Sequence, residues 1–131
     1  MFVQRIKDRN FGDLGVVEFS SLPFVCRRVY WITNFVKGNT RGNHAHKSLT
    51  QFITVLFGSV TFELFEGKKR RIVEVKADNE SLLIFPGTWR TFSSEVPGSV
   101  LLVFCDQEYE EDDYIRNWDE YLDWFSKNYE R

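Results

Sequence analysis

Apolar and polar residues alternate with a period of two through most of the middle of the chain. In residues 25–32, Val25, Arg27, Val29 and Trp31 fall on one face and Cys26, Arg28, Tyr30 and Ile32 on the other. Further runs of strand composition cover 51–57, 59–65, 70–75, 82–85 and 100–105. They are punctuated by Gly38, Gly42, Gly58, Gly67, Asp78-Asn79, Pro86-Gly87 and Pro97-Gly98. Short strands at such spacing predict an all-β sandwich or barrel. The tail changes period. From Asp112 the apolar residues Tyr114, Ile115, Trp118, Tyr121, Leu122 and Phe125 recur at helical spacing. Glu110, Glu111, Asp112 and Asp113 stand where a helix's first turn favours acids. One amphipathic helix is therefore expected to close the β-structure. With no repeat, linker or low-complexity segment, 1–131 reads as one domain.

Composition narrows the class. Hydrophobic residues are 43% and charged residues 27% of 131, which suits a folded chain rather than a disordered one. A chain of this size buries roughly two-thirds of its unfolded surface, so no staple is required. The 13 Phe, 5 Tyr and 4 Trp favour a pleated, half-buried surface. A net charge of −2 gives no overall positive field for nucleic acid. The run Lys68-Lys69-Arg70-Arg71 reads as a solvated loop in a hairpin. Cys26 and Cys105 form no CxxC and lie in apolar runs, so both read as buried free thiols in a reducing compartment. The start, Met1-Phe2-Val3-Gln4-Arg5, has no apolar leader core, and no run approaches a membrane span. The expected location is cytoplasmic, with no nucleic-acid or membrane partner.

The chain has two histidines, His44 and His46, in Arg41-Gly42-Asn43-His44-Ala45-His46-Lys47. On a strand, i and i+2 point to one side about 6.6 Å apart, so both rings face the interior together or solvent together. Gln51 follows His46 by five positions and Gly58 follows Gln51 by seven. That spacing resembles the first motif of the cupin superfamily, small β-barrels in which the position of Gln51 is usually Glu. Metal cupins add a later His, which this sequence lacks. Two imidazoles without a carboxylate are a poor ligand set, so a metal-free, cofactor-free cupin is expected.

Arg41-Gly42-x-His44-Ala45-His46-Lys47 is similar to a string of the sugar-nucleotide 3,4-ketoisomerases. Arg28-Val29-Tyr30-Trp31-Ile32, Pro86-Gly87-Thr88-Trp89 and Asp113-Tyr114-Ile115-Arg116 extend the likeness from about Ile6 to Phe125. The resemblance implies a cupin jelly-roll barrel, a homodimer with exchanged N-terminal strands, and no metal. It implies action on a dTDP-linked 4-keto-6-deoxy sugar in routes to 3-amino-3,6-dideoxy sugars, including O-antigen precursors, with a PLP aminotransferase acting next.

Moving a ketone from C4 to C3 requires a base at C3, stabilisation of an enediolate and an acid at C4. A neutral histidine pair can supply base and acid without a cofactor. His46 is expected as the main proton shuttle and His44 as its partner. The resemblance makes Tyr30 a site residue, against a core tyrosine. Arg41 either grips the diphosphate through its planar fork or forms a structural ion pair. Gln51 either donates to a sugar oxygen or is a buried amide. The branch giving the galacto-configured product carries Arg near Phe11 and His at the position of Arg90. Phe11 and Arg90 resemble the branch giving 3-keto-6-deoxy-D-glucose, and Arg90 removes one proton donor at neutral pH. Two rival classes remain at this point: a non-catalytic sugar-nucleotide-binding cupin and a metal-dependent cupin.

Overall fold

The structure is a computed structural model that describes residues 3–77 and 81–130; the turn expected at Asp78-Asn79 lies outside them. Among these residues the strands are β1 (Val3–Ile6), β2 (Leu14–Val17), β3 (Arg28–Ile32), β4 (Arg41–His46), β5 (Gln51–Phe57), β6 (Ser59–Glu66), β7 (Lys69–Lys76), β8 (Leu82–Ile84), β9 (Thr88–Ser93), β10 (Val100–Cys105) and β11 (Tyr114–Ile115). One helix follows, α1 (Trp118–Tyr129). The strands pair antiparallel in the orders β3-β10-β5-β8, β11-β4-β9-β6-β7 and β1-β2. The first two sheets face one another as a cupin jelly roll.

Alternation explains the core between them. Inward residues Ile53, Val55, Leu82, Ile84, Leu101 and Val103 of one sheet meet Val60, Phe62, Leu64, Val75 and Phe92 of the other. The outer face of the four-stranded sheet is covered in part by β1–β2, where Val3 and Val17 pack with Leu22, Phe52 and Phe104. The outer face of the five-stranded sheet carries α1, whose Trp118, Tyr121, Leu122 and Phe125 lie with Ala45, Trp89 and Ile115. Tyr121 is fully buried, and its hydroxyl accepts from Gly67 N at 2.9 Å and lies 2.8 Å from Gly87 O.

The helix starts later than its stripe suggests. Residues Glu111–Asp113 form a 3-10 turn, Tyr114 and Ile115 join the sheet, and Asn117 caps α1 by accepting from Glu120 N at 3.0 Å. The acids expected to open the helix are therefore spent elsewhere, Asp113 within the barrel. The basic run is also not a loop. Lys69, Arg70 and Arg71 open β7, the sheet-edge strand, where exposed charge deters edge pairing. Strand β3 begins at Arg28 rather than at 25.

Strand β4 contains the feature that builds the site. Arg41 pairs with Phe92 and Gly42 with Thr91, but His44 pairs with Arg90, so Asn43 is an extra residue and the register shifts. Gly42 and Asn43 both have positive φ, +89° and +58°. A Cβ on Gly42 would lie 2.8 Å from Arg90 O. The bulge lets Arg41 and His44, three apart, face the same side of the sheet.

Candidate active site

A cavity of about 350 Å³ opens between the two sheets. Ile53, Phe62, Phe92, Leu101 and Val103 form an apolar part of its wall, and Arg28, Tyr30, Arg41, His44, Gln51, Arg90, Tyr114 and Arg116 supply the polar part. The protein's net charge is negative, yet four guanidinium groups converge on this space.

Beneath it, Gln51 joins two walls. Its Nε2 donates to the Tyr30 hydroxyl at 3.1 Å, and its Oε1 accepts from Arg90 Nη1 at 2.5 Å. Arg90 Nη2 donates to Thr88 O at 3.1 Å. Gln51 is thus a buried amide, but one satisfied by site side chains rather than by backbone. Burial pulls Arg90 down to about 10, with Tyr30 the main opposing influence, so it remains cationic at neutral pH. Burial, and then Cys105, raise the Tyr30 phenol. Accepting from Gln51 leaves its O–H free to donate into the cavity.

The histidines share a face, as their spacing requires, and that face is the interior. Their rings meet edge to face with centroids 4.9 Å apart. They are not equivalent. His44 lines the cavity, whereas His46 is 1% exposed and lies outside its lining. Behind His46 stands Asp113, whose Oδ2 is 3.0 Å from His46 Nδ1. Burial, followed by Arg90, pushes His44 down to about 4; the same causes, with His44 added, push His46 down to about 2. Both imidazoles are neutral at pH 7. Two buried polar atoms, His44 Nδ1 and Arg90 Nε, have no hydrogen-bond partner. Unsatisfied groups of this kind are uncommon in native interiors.

Of the two rings expected to relay the proton, His44 borders the cavity and His46 lies behind its wall. Strand β11 crosses it, Tyr114 pairing with His46 and its ring centroid lying 4.3 Å away. Arg41 reaches the cavity as an exposed residue. Phe11 does not reach it: it is 90% exposed on the turn between β1 and β2, which is held by Asp8 and Asp13 hydrogen bonds.

Sequence reasoning assigned no role to Arg28, Tyr114 and Arg116. Arg28 stacks over Tyr30 at 4.9 Å, and Arg116 over Tyr114 at 4.2 Å. Arg116 also pairs with Glu111 through Nε and Nη2, at 2.8 and 2.9 Å. That pairing, then Tyr109, holds the Glu111 carboxyl down to about 2. The available signal was the string Asp113-Tyr114-Ile115-Arg116 itself, in which Tyr114 and Arg116 alternate as on a strand.

The metal ligand set of other cupins does not fit these residues. Gln51 Oε1 is occupied by a guanidinium and His46 Nδ1 by Asp113. Among the described residues no cluster of three His, Cys, Asp or Glu could hold an ion. Nor, among them, is any helix long and apolar enough to cross a membrane.

Comparison with known proteins identifies the family. The family model described as FdtA: WxcM-like, C-terminal, matches residues 1–126. A TDP-4-oxo-6-deoxy-alpha-D-glucose-3,4-oxoisomerase of Aneurinibacillus thermoaerophilus is 28% identical over 124 residues, covering 95% of this chain and 89% of that protein. A mutant of the 3,4-ketoisomerase QdtA from Thermoanaerobacterium thermosaccharolyticum, solved with TDP-4-keto-6-deoxyglucose, superposes with a TM-score of 0.92. It is 36% identical, over 100% of this chain and 95% of that one. The WlaRB TDP-quinovose 3,4-ketoisomerase from Campylobacter jejuni gives 0.83 at 33% identity, over 93% and 94%. The chain therefore belongs to the FdtA (WxcM-like, C-terminal) family and is an isomerase.

Proposed function

We propose that the protein converts dTDP-4-keto-6-deoxy-D-glucose to dTDP-3-keto-6-deoxy-D-glucose. The observation that carries this reading is a neutral imidazole, His44, facing a cavity lined by Arg28, Arg41, Arg90 and Arg116. The exposed Arg41 and Arg116 suit a diphosphate through planar, multiply donating forks. The sugar then lies inward, against the buried Arg90 and Tyr30.

His44 removes the C3 proton. The C3–H electrons form a C3=C4 bond and the C4 carbonyl electrons move onto O4. Arg90, fixed by Gln51, and the Tyr30 hydroxyl stabilise that oxyanion without reorganising, an effect worth roughly 10²–10³-fold per donor. A proton moves from O3 to O4, the C3 carbonyl forms, and C4 takes a proton. In the gluco ring the C3 and C4 hydrogens are axial on opposite faces. One imidazole cannot serve both, so Tyr30 is the donor at C4. Its phenolate forms beside the Arg90 guanidinium and is refilled from solvent, while His44 releases its proton. Atoms and charge balance over the cycle without a cofactor.

Phe11 meets a cavity only if the β1–β2 hairpin reaches a second chain. This supports a homodimer with exchanged N-terminal strands, in which Phe11 of one copy borders the sugar of the other. The two free thiols, Cys26 and Cys105, suit a cytoplasmic setting. The 3-keto product fits a place before an amino-transfer step in deoxyamino-sugar synthesis. The test is incubation with TDP-4-keto-6-deoxyglucose in D₂O, followed by NMR. Deuterium at C4 of a 3-keto sugar is expected, and in H₂O a large diaxial H4–H5 coupling. Absence of a 3-keto product refutes the activity, and a small coupling refutes the gluco configuration.

A further inference from the structure

The carboxylate of Asp113 divides its two oxygens between different tasks. Oδ1 accepts from Ser48 N at 2.8 Å and Ser48 Oγ at 2.7 Å, tying the segment before β11 to the turn after β4. Oδ2 faces His46 Nδ1 at 3.0 Å, and both side chains are buried. An asparagine would serve Ser48 equally well, through its single carbonyl oxygen. The fold accounts for one oxygen only. The second oxygen does something that only an acceptor can do: it requires the proton of neutral His46 to sit on Nδ1.

His46 in turn bears on the cavity through one ring. It lies edge to face with His44, while Tyr114 holds both imidazoles from a third side, at 4.9 Å from His44 and 4.3 Å from His46. His44 Nδ1 has no hydrogen-bond partner of its own. The orientation of His44 is therefore set chiefly by packing against His46 and Tyr114, with the Gly42 backbone beside it. A ring free to turn over behind it would loosen the placement of the base.

We infer that Asp113 is a positioning residue for the isomerisation: by fixing the tautomer and plane of His46 it holds His44 at the cavity in the geometry that proton abstraction needs. Carboxylate–imidazole pairs of this kind act on orientation, and their loss lowers turnover far more than substrate affinity. The inference rests on the activity proposed above.

The test is Asp113→Asn, with Ser48→Ala as its companion. In Asp113→Asn the amide oxygen keeps the Ser48 bonds, and the Nδ2–H₂ group must donate to His46 Nδ1, forcing the proton to Nε2. Long-range ¹H–¹⁵N correlation spectra read this directly, because the chain contains two histidines. The expected result is Nδ1–H for His46 in the parent and Nε2–H in Asp113→Asn. Turnover should fall by about 10- to 100-fold, with KM and TDP affinity changed less than about threefold. Ser48→Ala removes a bond to the same carboxylate and spares its other oxygen. It should keep the parent tautomer and turnover, even if it lowers the urea midpoint. An unchanged His46 tautomer in Asp113→Asn, or an unchanged kcat with the tautomer flipped, overturns the inference. So does an equal loss of kcat in Ser48→Ala, which would make the role structural. If the parent itself does not isomerise the sugar, the proposed activity fails. The spectra then still decide whether Asp113 fixes the His46 ring.

Discussion

Acidification from pH 7 to pH 5 isolates the two histidines energetically. Unfolded imidazoles take up protons below about 6.5, whereas in the folded protein burial and Arg90 keep His44 neutral down to about 4 and His46 to about 2. The unfolded state thus binds more protons throughout this window. Stability is complete above 6.5 and is lost as pH falls from there toward 4. At pH 5 each histidine lies about 1.5 pH units below its unfolded value. At about 1.4 kcal/mol per unit His44 costs about 2 kcal/mol, and His46 adds to this by an amount that its buried pairing with Asp113 reduces. Even about 2 kcal/mol is a sizeable part of the roughly 5–15 kcal/mol available to a domain. The sequence holds no other histidine, the side chain whose ordinary pKa lies within this window. Urea unfolding at fixed protein concentration should give a midpoint that drops steeply between the two pH values at unchanged m-value. The double variant His44→Gln/His46→Gln should remove most of the slope, whatever its starting stability. A loss below about 1 kcal/mol, or the same slope in the double variant, would refute the assignment of two neutral, buried imidazoles.

His44→Asn should lower kcat by roughly 10²–10⁴-fold, the usual contribution of a positioned base, while TDP still binds in a calorimetric titration; retained turnover would exclude His44 as the base. With substrate deuterated at C3 and reacted in H₂O, C4 of the product should carry no deuterium, because abstraction and delivery occur on opposite faces. Transfer of label, read by mass spectrometry, would mean that one group does both. Gly67→Ala should destabilise by about 1–3 kcal/mol in urea: its φ is +62°, and an added Cβ would lie 2.8 Å from the Phe125 ring of α1. A change below about 0.3 kcal/mol would deny that α1 is seated there.

The strands read most easily were those whose inward residues are apolar, such as β6 and β10. Strand β9 escaped because its inward positions include Arg90, which breaks the alternation of Thr88–Ser93. Strand β4 escaped for a related reason: Gly42 and Asn43 look like a turn, and they are a bulge within a strand. The pairing of His44 and His46 on one face was legible from local geometry alone. Their order of access was not, because β11 covers His46 from 68 and 69 residues further on, where Tyr114 and Ile115 pair with His46 and Ala45. A separation of 67 residues from His46 hid Asp113 in the same way. Four consecutive acids before an amphipathic stripe satisfy every local rule for a helix start, and no local rule registers a buried imidazole waiting for one of them.

Gln51 and Arg90 together explain why this barrel suits enolisation rather than metal chemistry. Where related barrels carry a glutamate, the amide oxygen of Gln51 accepts from a buried guanidinium instead. A carboxylate there would cancel the charge of Arg90, and with it the field that favours an oxyanion on the sugar. The amide positions the charge and leaves it intact. That field also has a cost, since the same guanidinium contributes to lowering His44 toward 4 and weakens it as a base. The two effects meet at one reacting centre. In the proposed reaction, negative charge would appear on the sugar next to Arg90 just as positive charge appears on His44. Each product of the transfer is therefore stabilised by the other. A resting base of low pKa beside a fixed cation is the arrangement expected when both charges exist only within the step, and the imidazolium so formed is a strong acid that readily releases its proton to solvent before the next turnover.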